Sequence, residues 1–322
     1  MKLLRKTKNS IIGYTFVSPS AIGLFVIICL PIFFSFYISF HKWTLLTPPT
    51  ITGLDNFVEL FGFHQDEQVA RELKEAGRSW AVLKSIEAND PLFWKFLGNT
   101  FFYILAVPLV MVVSLIVALA LNQRGLRGLV LFRTIFFLPV VTSIIAVGLL
   151  WRWMLNGEFG IVNVVLSWVG IRGPNWLGDT GWVKPAVILI RIWNRCGYYM
   201  IIYLAGLQGI PSTLYEAAEI DGANVWQKLR NITFPLLAPT HFFVMVMESI
   251  SILRVFDLIF VLTPEGGPGG ASTPLAYYLY VNAFRYFRMG YASAVAWALF
   301  LIIFSLTLLQ WRLRKKWVYV EE

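Results

Sequence analysis

Residues 96–121, FLGNTFFYILAVPLVMVVSLIVALAL, contain no charged side chain and lie between Lys95 and Arg124. A bilayer core about 30 Å thick is crossed by roughly 20 apolar residues in a helix, so this stretch predicts a transmembrane helix. Two other uncharged runs of this size occur, at residues 11–40 and 289–311. The sequence therefore predicts a membrane protein with an all-α fold.

Three further runs extend this prediction. Residues 134–151 form a shorter uncharged run between Arg133 and Arg152, whose long side chains can reach the membrane interfaces. Residues 183–208 and 236–262 are apolar but carry charges within them. We count six transmembrane helices and expect a polytopic membrane protein.

The composition excludes several other classes of protein. Of 322 residues, 57% are hydrophobic and only 14% are charged, against about 25% charged in an ordinary soluble domain. The net charge of +9 does not indicate a nucleic-acid binder, because the lysines and arginines cluster at the ends of apolar runs. The two cysteines lie inside apolar runs, which supports neither a disulfide framework nor a cysteine metal site.

The distribution of positive charge predicts the orientation in the membrane. The N-terminal apolar run is too long for a signal peptide and should remain as an anchor. With the N-terminus inside, segments 1–10, 122–133, 209–237 and 312–322 contain 13 Lys and Arg in 62 residues, and the outer segments contain 11 in 113. Both termini are therefore expected in the cytoplasm. The expected parts are a cytoplasmic N-terminus (1–10), a transmembrane domain (11–317) with an outer loop (41–95) and a cytoplasmic loop (209–239), and a cytoplasmic tail (318–322).

The outer loop carries an apolar stripe at alternating spacings of four and three residues. This pattern predicts an amphipathic helix outside the membrane, which either packs on its own protein or docks an outside partner. The stripe consists of Val69, Leu73, Ala76, Trp80 and Leu83.

Several kinds of catalytic or nucleotide site are absent from the sequence. There is no Gly-x-x-x-x-Gly-Lys-Ser/Thr phosphate loop and no Gly-x-Ser-x-Gly elbow. His41, His64 and His241 have no partner at zinc-ligand spacing, and we expect each of them to be interfacial or solvated. We predict that the chain is not an enzyme and that it binds no metal ion.

Charged residues inside two of the predicted spans point to an interior function. Arg191 and Arg195 are four residues apart and share a helical face, and Glu248 and Asp257 could supply the counter-charge. Because such charges are costly in a membrane, they pair with each other or face a cavity. Either a structural ion-pair network or a polar substrate pathway fits. The pathway would be lined by Trp193, Asn194, Tyr198, Glu248, Ser249 and Ser251.

Residues 209–239 predict a rigid helix–turn–helix on the inner membrane face. Thr213 and Glu216 fit a capping box for a short helix, and Asp221-Gly222 predicts its end. Asn224 is suited to cap a second short helix, and Pro235 and Pro239 mark the return to the membrane. Such a loop could merely connect two spans, but its length and chemistry favour a contact with a cytoplasmic partner.

The residues of this loop carry a family resemblance. The stretch EAAEIDGA at 216–223, followed by Ile232 and Pro235, resembles the EAA loop of the membrane subunits of binding-protein-dependent ABC importers. The flanking stretches LAGLQGIP (204–211), VFDLIFVLT (255–263) and GGP (266–268) are similar to the carbohydrate-uptake branch, which includes the maltose-transporter permeases. The resemblance covers residues 11–317 and thins over 63–92.

The resemblance implies that this chain forms half of a pore in a bacterial cytoplasmic (inner) membrane. It implies a second permease, most simply in a heterodimer, two ATPase subunits that bind ATP and Mg, and an extracytoplasmic sugar-binding protein. No cofactor is implied in this chain itself. In the family the short helix of the loop enters a groove on the ATPase and transmits its closure to the spans. The implied coupling residues are Tyr215, Glu216, Ala217, Ala218, Asp221, Gly222 and Ala223.

The stretch PEGGPGG at 264–270 is too rich in Gly and Pro for regular structure and is placed outside by the topology. We expect it to form a gate or docking loop, with Gly266, Gly267 and Pro268 in contact with the binding protein. Permeases of this kind also carry non-sugar solutes, so a non-sugar importer stays open. A secondary transporter is less favoured, because no internal repeat is evident. Arg191 and Arg195 permit an acidic saccharide but do not require one.

Overall fold

The computed structural model describes residues 2–68, 71, 86–123 and 127–314. The predicted amphipathic stripe from Val69 to Leu83 and the predicted tail at 318–322 lie outside the described residues. The chain divides into two compact units, one formed by residues 1–91 and 279–298 and the other by residues 92–278 and 299–322.

The first unit contains the N-terminal helix. Helix α1 (Lys2–Leu24) continues through a π-helical stretch (Phe25–Cys29) into α2 (Leu30–Ile38). Residues from Gly13 to Ile38 in these helices are long and apolar enough to cross a membrane, as the run at 11–40 predicts. The remaining elements of the outer loop are β1 (His41–Lys42), β2 (Thr50–Ile51), α3 (Asp55–Phe61), β3 (Phe63–Gln65) and β4 (Ile86–Ala88).

The two pairs of short strands are antiparallel, and they are minor additions to a helical chain. His41 lies opposite Ile51, and His64 lies opposite Glu87. The expected solvation of His41 is wrong, because this side chain is only 3% exposed. Its Nδ1 lies 2.8 Å from the Tyr37 carbonyl oxygen, one of the carbonyls that a helix leaves open at its C-terminal end.

The second unit is built from helices of very different lengths, joined by short turns. Its first half contains α4 (Pro91–Phe102), α5 (Ala106–Leu121), α6 (Leu129–Val141), α7 (Ile144–Met154) and α8 (Ile161–Trp168). Its second half contains α9 (Val183–Gln208), α10 (Ser212–Ile220), α11 (Val225–Lys228), α12 (Phe234–Leu236), α13 (Ala238–Leu253), α14 (Asp257–Leu262) and α15 (Leu275–Tyr280). The last helix, α16 (Met289–Arg314), begins in the first unit and ends in the second.

The predicted span at 134–151 is not one helix. Helices α6 and α7 meet at an angle of 98°, with Thr142 and Ser143 in extended conformation between them. Pro139 lacks the N–H of a regular helical turn, and the β-branched residues Val140 and Val141 add stiffness. The exposed end of α6 is held by Asn194, whose Nδ2 donates to the Pro139 carbonyl at 2.8 Å.

The run at 236–262 is also not one continuous helix. The segment that ends at Leu236 and helix α13 are bent by 65°, next to Pro239 in the first turn of α13. A second break at Arg254–Phe256 separates α13 from α14. Three helices and up to two bent pairs among the described residues satisfy the length and apolarity of a span. Helix α9, with 26 residues, is about 39 Å long at 1.5 Å per residue, and the count of six stays a prediction.

The core of the second unit joins α9 to the helices around it. Residues of α5, α9 and α13 form one buried apolar cluster, which includes Val110, Met200, Tyr203 and Val244. At Gly197, an added Cβ would lie 2.0 Å from the Phe136 carbonyl oxygen, so a glycine is needed for α6 to approach α9. The 209–239 segment therefore begins and ends on two helices that pack around a common core.

Candidate functional site

The 209–239 segment begins with a short helix whose start differs from the predicted one. Helix α10 begins at Ser212, directly after Pro211, and no side chain caps it. The predicted capping box is wrong, because Thr213 already lies inside the first turn. Glu216 is an exposed residue of the helix, and its carboxylate is free to meet another molecule.

The end of α10 has the predicted glycine turn. Gly222 has a φ of +76°, its N–H donates to the Glu219 carbonyl, and the Ala223 N–H donates to the Ala218 carbonyl. These two hydrogen bonds form a Schellman motif, in which glycine is the preferred left-handed residue. An added Cβ at Gly222 would meet no atom within 4 Å, so only the backbone conformation requires glycine here.

The second short helix is capped as predicted. Asn224 accepts a hydrogen bond from the Gln227 N–H at 2.9 Å, and the Gln227 side chain accepts one from the Asn224 N–H at 2.7 Å. This reciprocal pair is a complete capping box. Helix α11 then runs through a π-helical turn (Leu229–Thr233) into α12.

Two contacts hold α10 against the returning chain. The Tyr215 hydroxyl lies 2.9 Å from Thr233 Oγ1, and Lys228 Nζ lies 2.8 Å from Glu219 Oε1. The hydrogen bond from Lys228, together with its positive charge, lowers the pKa of the exposed Glu219 carboxyl. The two helices and the turn between them are thus fixed to each other by side chains and by caps.

Four large apolar side chains of this segment are exposed beside polar residues such as Glu216, a feature that the sequence interpretation missed. Leu214, Ile220, Val225 and Trp226 are exposed by 42%, 86%, 80% and 66%. These apolar residues on both sides of the Asp221-Gly222 turn were the available signal. Among the predicted coupling residues, Glu216, Ala217, Asp221 and Gly222 are exposed, and Tyr215, Ala218 and Ala223 are partly buried. We call Leu214, Ile220, Val225 and Trp226 the apolar rim.

The charged residues of the predicted spans form a buried ion pair. Arg191 Nε lies 2.8 Å from Glu248 Oε1, and a second nitrogen of Arg191 lies 3.2 Å from Oε2. The Arg191 guanidinium also donates to Ser251 Oγ at 2.6 Å, and the Tyr199 hydroxyl donates to Glu248 at 2.9 Å. Glu248 is fully buried and Arg191 is 5% exposed. The arrangement satisfies a costly buried charge on both sides.

The other predicted partner does not join this pair. Asp257 is exposed at the first residue of α14, and Arg191 pairs with Glu248 instead. Arg195, one turn from Arg191, has a buried Nε without a hydrogen-bond partner among the described residues. Although the two arginines lie one helical turn apart, Arg191 pairs with Glu248 and the Nε of Arg195 has no hydrogen-bond partner among the described residues.

The predicted pathway residues fall into an exposed group and a buried group. Trp193 and Tyr198 are 41% and 36% exposed, and the Trp193 ring contacts Trp151 at 5.5 Å. Asn194 is buried against the Pro139 carbonyl. Glu248 and Ser249 are buried, and Ser251 is partly buried on Arg191. Ser249 Oγ also accepts a hydrogen bond from Gln310 Nε2 at 2.9 Å.

The Gly-Pro stretch at 264–270 is anchored by hydrogen bonds over its length. It forms two short 3₁₀ turns, Pro264–Gly266 and Pro268–Gly270. Lys95 Nζ donates to the Gly269 carbonyl at 2.6 Å, and Asn99 Nδ2 donates to the Gly270 carbonyl at 3.1 Å. Gly266 is buried, whereas Gly267 and Pro268 are partly exposed. Of the three residues predicted to contact the binding protein, only Gly267 and Pro268 are accessible to another molecule.

No metal-binding geometry is present in the part of the chain that the structure describes. Within it, no three His, Cys, Asp or Glu side chains are grouped so that they could hold an ion. His64 lies 3.0 Å from Asn89, and His241 lies 3.0 Å from the Tyr203 hydroxyl.

Comparison with known proteins yields one family. Residues 95–319 match the model of the binding-protein-dependent transport system inner membrane component. The chain is 35% identical to the probable ABC transporter permease protein YesP of Bacillus subtilis, over 98% of this chain and 94% of that protein. It is 32% identical to the trehalose/maltose transport system permease protein MalF of Thermococcus litoralis, over 94% and 93% of the two chains.

The fold has a solved counterpart. A chain in the crystal structure of a bacterial alginate ABC transporter, in complex with an alginate pentasaccharide-bound periplasmic protein, superposes with a TM-score of 0.79. The two chains are 24% identical, and the alignment covers 98% of each. The family match at residues 95–319 spans the whole 209–239 segment and both residues of the buried ion pair. The chain is a membrane protein that belongs to the family of binding-protein-dependent transport system inner membrane components.

Proposed function

We propose that this chain is the permease subunit of an ATP-driven importer for a sugar or oligosaccharide, and that it forms half of the translocation pathway. Membership of the permease family and the names of its relatives support this proposal. The observation that carries it is the 209–239 segment, a capped two-helix element with an exposed apolar rim between α9 and α13.

The apolar rim is suited to bind an ATPase subunit in the cytoplasm. Each large apolar side chain that leaves water on docking stabilises the contact by about 1.5–3 kcal/mol. Closure of two ATPase subunits around ATP and Mg would then move the segment and the helices on either side of it. This chain contributes no cofactor of its own, and both of its termini lie in the cytoplasm. Its membrane is the bacterial inner membrane.

The partners on the other side follow from the same proposal. A second permease, in a heterodimer, completes the pore, and a sugar-binding protein docks outside at Gly267 and Pro268. We propose that the exposed rings of Trp193 and Tyr198 face the sugar. Asn194, Glu248, Ser249 and Ser251 hold the helices that carry these rings, through the bonds described above.

The proposal is tested by reconstitution into proteoliposomes with the partner permease, the ATPase and the binding protein. We expect uptake of a labelled saccharide that requires ATP, the binding protein and this chain together. Uptake of amino acids but of no saccharide would contradict the sugar assignment. Uptake without ATP would contradict the importer mechanism and favour a secondary transporter.

A further inference from the structure

A polar cavity of about 360 Å³ lies in the second unit, where three segments of the chain meet. One wall is the end of α7 with the turn after it, a second is the stretch at 175–178, and the third is the end of α14 with Gly267 and Pro268. In the proposed topology this cavity opens on the outer side of the membrane. Its volume falls within the range of about 300–1,000 Å³ that is usual for small-molecule sites.

Two asparagines present free amide donors in this cavity. Asn156 Oδ1 accepts hydrogen bonds from the N–H groups of Glu158 and Phe159, at 2.9 and 3.2 Å. Asn175 Oδ1 accepts one from the Gly178 N–H at 3.1 Å. Because each oxygen is held by backbone donors, the orientation of each amide is fixed. All the side-chain hydrogen bonds found for these two residues within the described part of the chain use Oδ1, and none uses the NH₂ group.

Arg152 supplies the only charge among the side chains that line the cavity. It lies in the last turn of α7, and none of the ion pairs among the described residues includes it. A guanidinium and two amide NH₂ groups are all hydrogen-bond donors. These donors favour a ligand that is rich in oxygen acceptors. Saccharides carry such acceptors in their hydroxyl and carboxylate groups.

The walls of the cavity are held together by a neighbouring asparagine. Asn163 Nδ2 donates to the carbonyls of Gly157 and Pro174, each at 3.1 Å. Its Oδ1 accepts a hydrogen bond from Trp176 Nε1 at 2.7 Å. These bonds connect the turn after α7 to the stretch at 175–178. The donors are thus positioned before a ligand arrives, which reduces the entropy lost on binding.

We propose that this cavity is a subsite for one glycosyl unit of the saccharide, occupied as the sugar passes from the binding protein into the pore. The proposal rests on the sugar-importer function proposed above. It adds a second place of contact, separate from Trp193 and Tyr198, and it assigns the hydrogen-bonding roles to Arg152, Asn156 and Asn175. The Gly267–Pro268 backbone is then both a wall of the subsite and a neighbour of the docked binding protein.

The test measures binding of maltotriose, arabinotriose and trigalacturonate to the permease–ATPase complex in nanodiscs, by saturation-transfer NMR without the binding protein. The variants are Arg152→Ala, Asn156→Asp and Asn175→Asp. Each aspartate keeps the oxygen that accepts from the backbone and removes the NH₂ donor, so the turns are preserved. Arg172→Ala is the matched control, because Arg172 is exposed and lies outside the cavity.

We expect at least one probe to bind and each of the three variants to weaken its binding about tenfold, with the control unchanged. Dependence of trigalacturonate alone on Arg152 identifies a carboxylate contact, and dependence of a neutral probe identifies a hydroxyl contact. Binding that is equal in all variants, or no binding of any probe, overturns the subsite. In that case ATP-dependent saccharide uptake by the native transporter shows whether the proposed function itself survives.

Discussion

Gly222 and Glu248 are constrained in two different ways, one by its backbone conformation and the other by its buried partners. Gly222 has a positive φ with open space around it. A larger residue at this position is therefore disfavoured by the backbone conformation alone. Glu248 is fully buried, and its carboxylate accepts hydrogen bonds from Arg191 and Tyr199. Substitutions at these positions should therefore act in different ways, one on coupling and the other on folding and assembly.

Replacing Gly222 by valine should uncouple ATP hydrolysis from uptake. A β-branched residue at positive φ costs roughly 1–3 kcal/mol, which is enough to disrupt the turn and shift the apolar rim. Gly222→Asn is the matched control, because asparagine tolerates this conformation better than other non-glycine residues. The measurement is uptake and ATP hydrolysis in the same proteoliposomes. Native coupling in the valine variant would show that the turn geometry has no role in transmission.

Replacing Glu248 by alanine should impair assembly of the transporter. The change leaves the Arg191 guanidinium buried without its partner, at a cost of about 3–5 kcal/mol. Tyr198→Ala removes a 36% exposed ring and should lower uptake while the complex assembles normally. Size-exclusion chromatography with the ATPase measures assembly, and uptake measures transport. Normal assembly of Glu248→Ala with lost uptake would instead place Glu248 in the sugar pathway.

Among the elements, the short helices α10 and α11 depend on contacts made across the turn between them. The Glu219–Lys228 pair joins the last turn of α10 to the end of α11. Since the pKa of Glu219 is lowered in the folded protein, this pair contributes stability above the ordinary glutamate pKa. The contribution is lost as the pH falls through the lowered value.

A pH-dependent difference in hydrogen exchange should follow. At pH 7, Glu219→Gln should increase deuterium exchange in residues 212–223 relative to the native protein, because it removes the ion pair. As the pH falls through the lowered pKa of Glu219, the native protein should approach the variant. Comparing the two proteins at each pH cancels the intrinsic pH dependence of exchange. A difference that stays constant as the pH is lowered from neutral to well below the ordinary glutamate pKa would contradict the assigned role of this carboxylate.

The limits of sequence interpretation are clearest for the helices. Uncharged runs predicted the long helices correctly, because hydropathy and length are local properties of the sequence. The 98° bend between α6 and α7 was missed, since hydropathy carries no information about direction and Pro139 is compatible with a straight span as well. The capping-box pattern placed the start of α10 at Thr213, but Pro211 is the residue that precedes the helix, which begins at Ser212.

Contacts between distant residues could be predicted only where charge suggested them. Opposite charges at Arg191 and Glu248 predicted a pair, but neither its burial nor the exclusion of Asp257 could be inferred from spacing. The bonds from Lys95 and Asn99 to the Gly-Pro stretch join residues more than 170 positions apart. Nothing in the local composition of either segment indicates them, and the prediction of a free docking loop overlooked them.

At the scale of the whole molecule, two helices connect the proposed ATPase contact to the proposed sugar route. The 209–239 segment is continuous with α9 at one end and with α12 and α13 at the other. Arg191 on α9 and Glu248 on α13 join these helices again within the predicted membrane region. We propose that a displacement of the segment is passed to both helices, which the ion pair joins.

The most direct test of transmission through the 209–239 segment is saccharide uptake, measured together with ATP hydrolysis, when the apolar rim carries a charge. Ile220→Glu changes the most exposed residue of the rim, which is 86% exposed, and Ile171→Glu is the control at an exposed isoleucine elsewhere in the same unit. We predict that Ile220→Glu lowers uptake about tenfold or more, because the loss of one large apolar contact of about 1.5–3 kcal/mol weakens docking by at least about that factor, and that Ile171→Glu leaves uptake native. Native uptake and native stimulation of ATP hydrolysis by the binding protein in Ile220→Glu would contradict the claim that this surface transmits ATP hydrolysis to the pore.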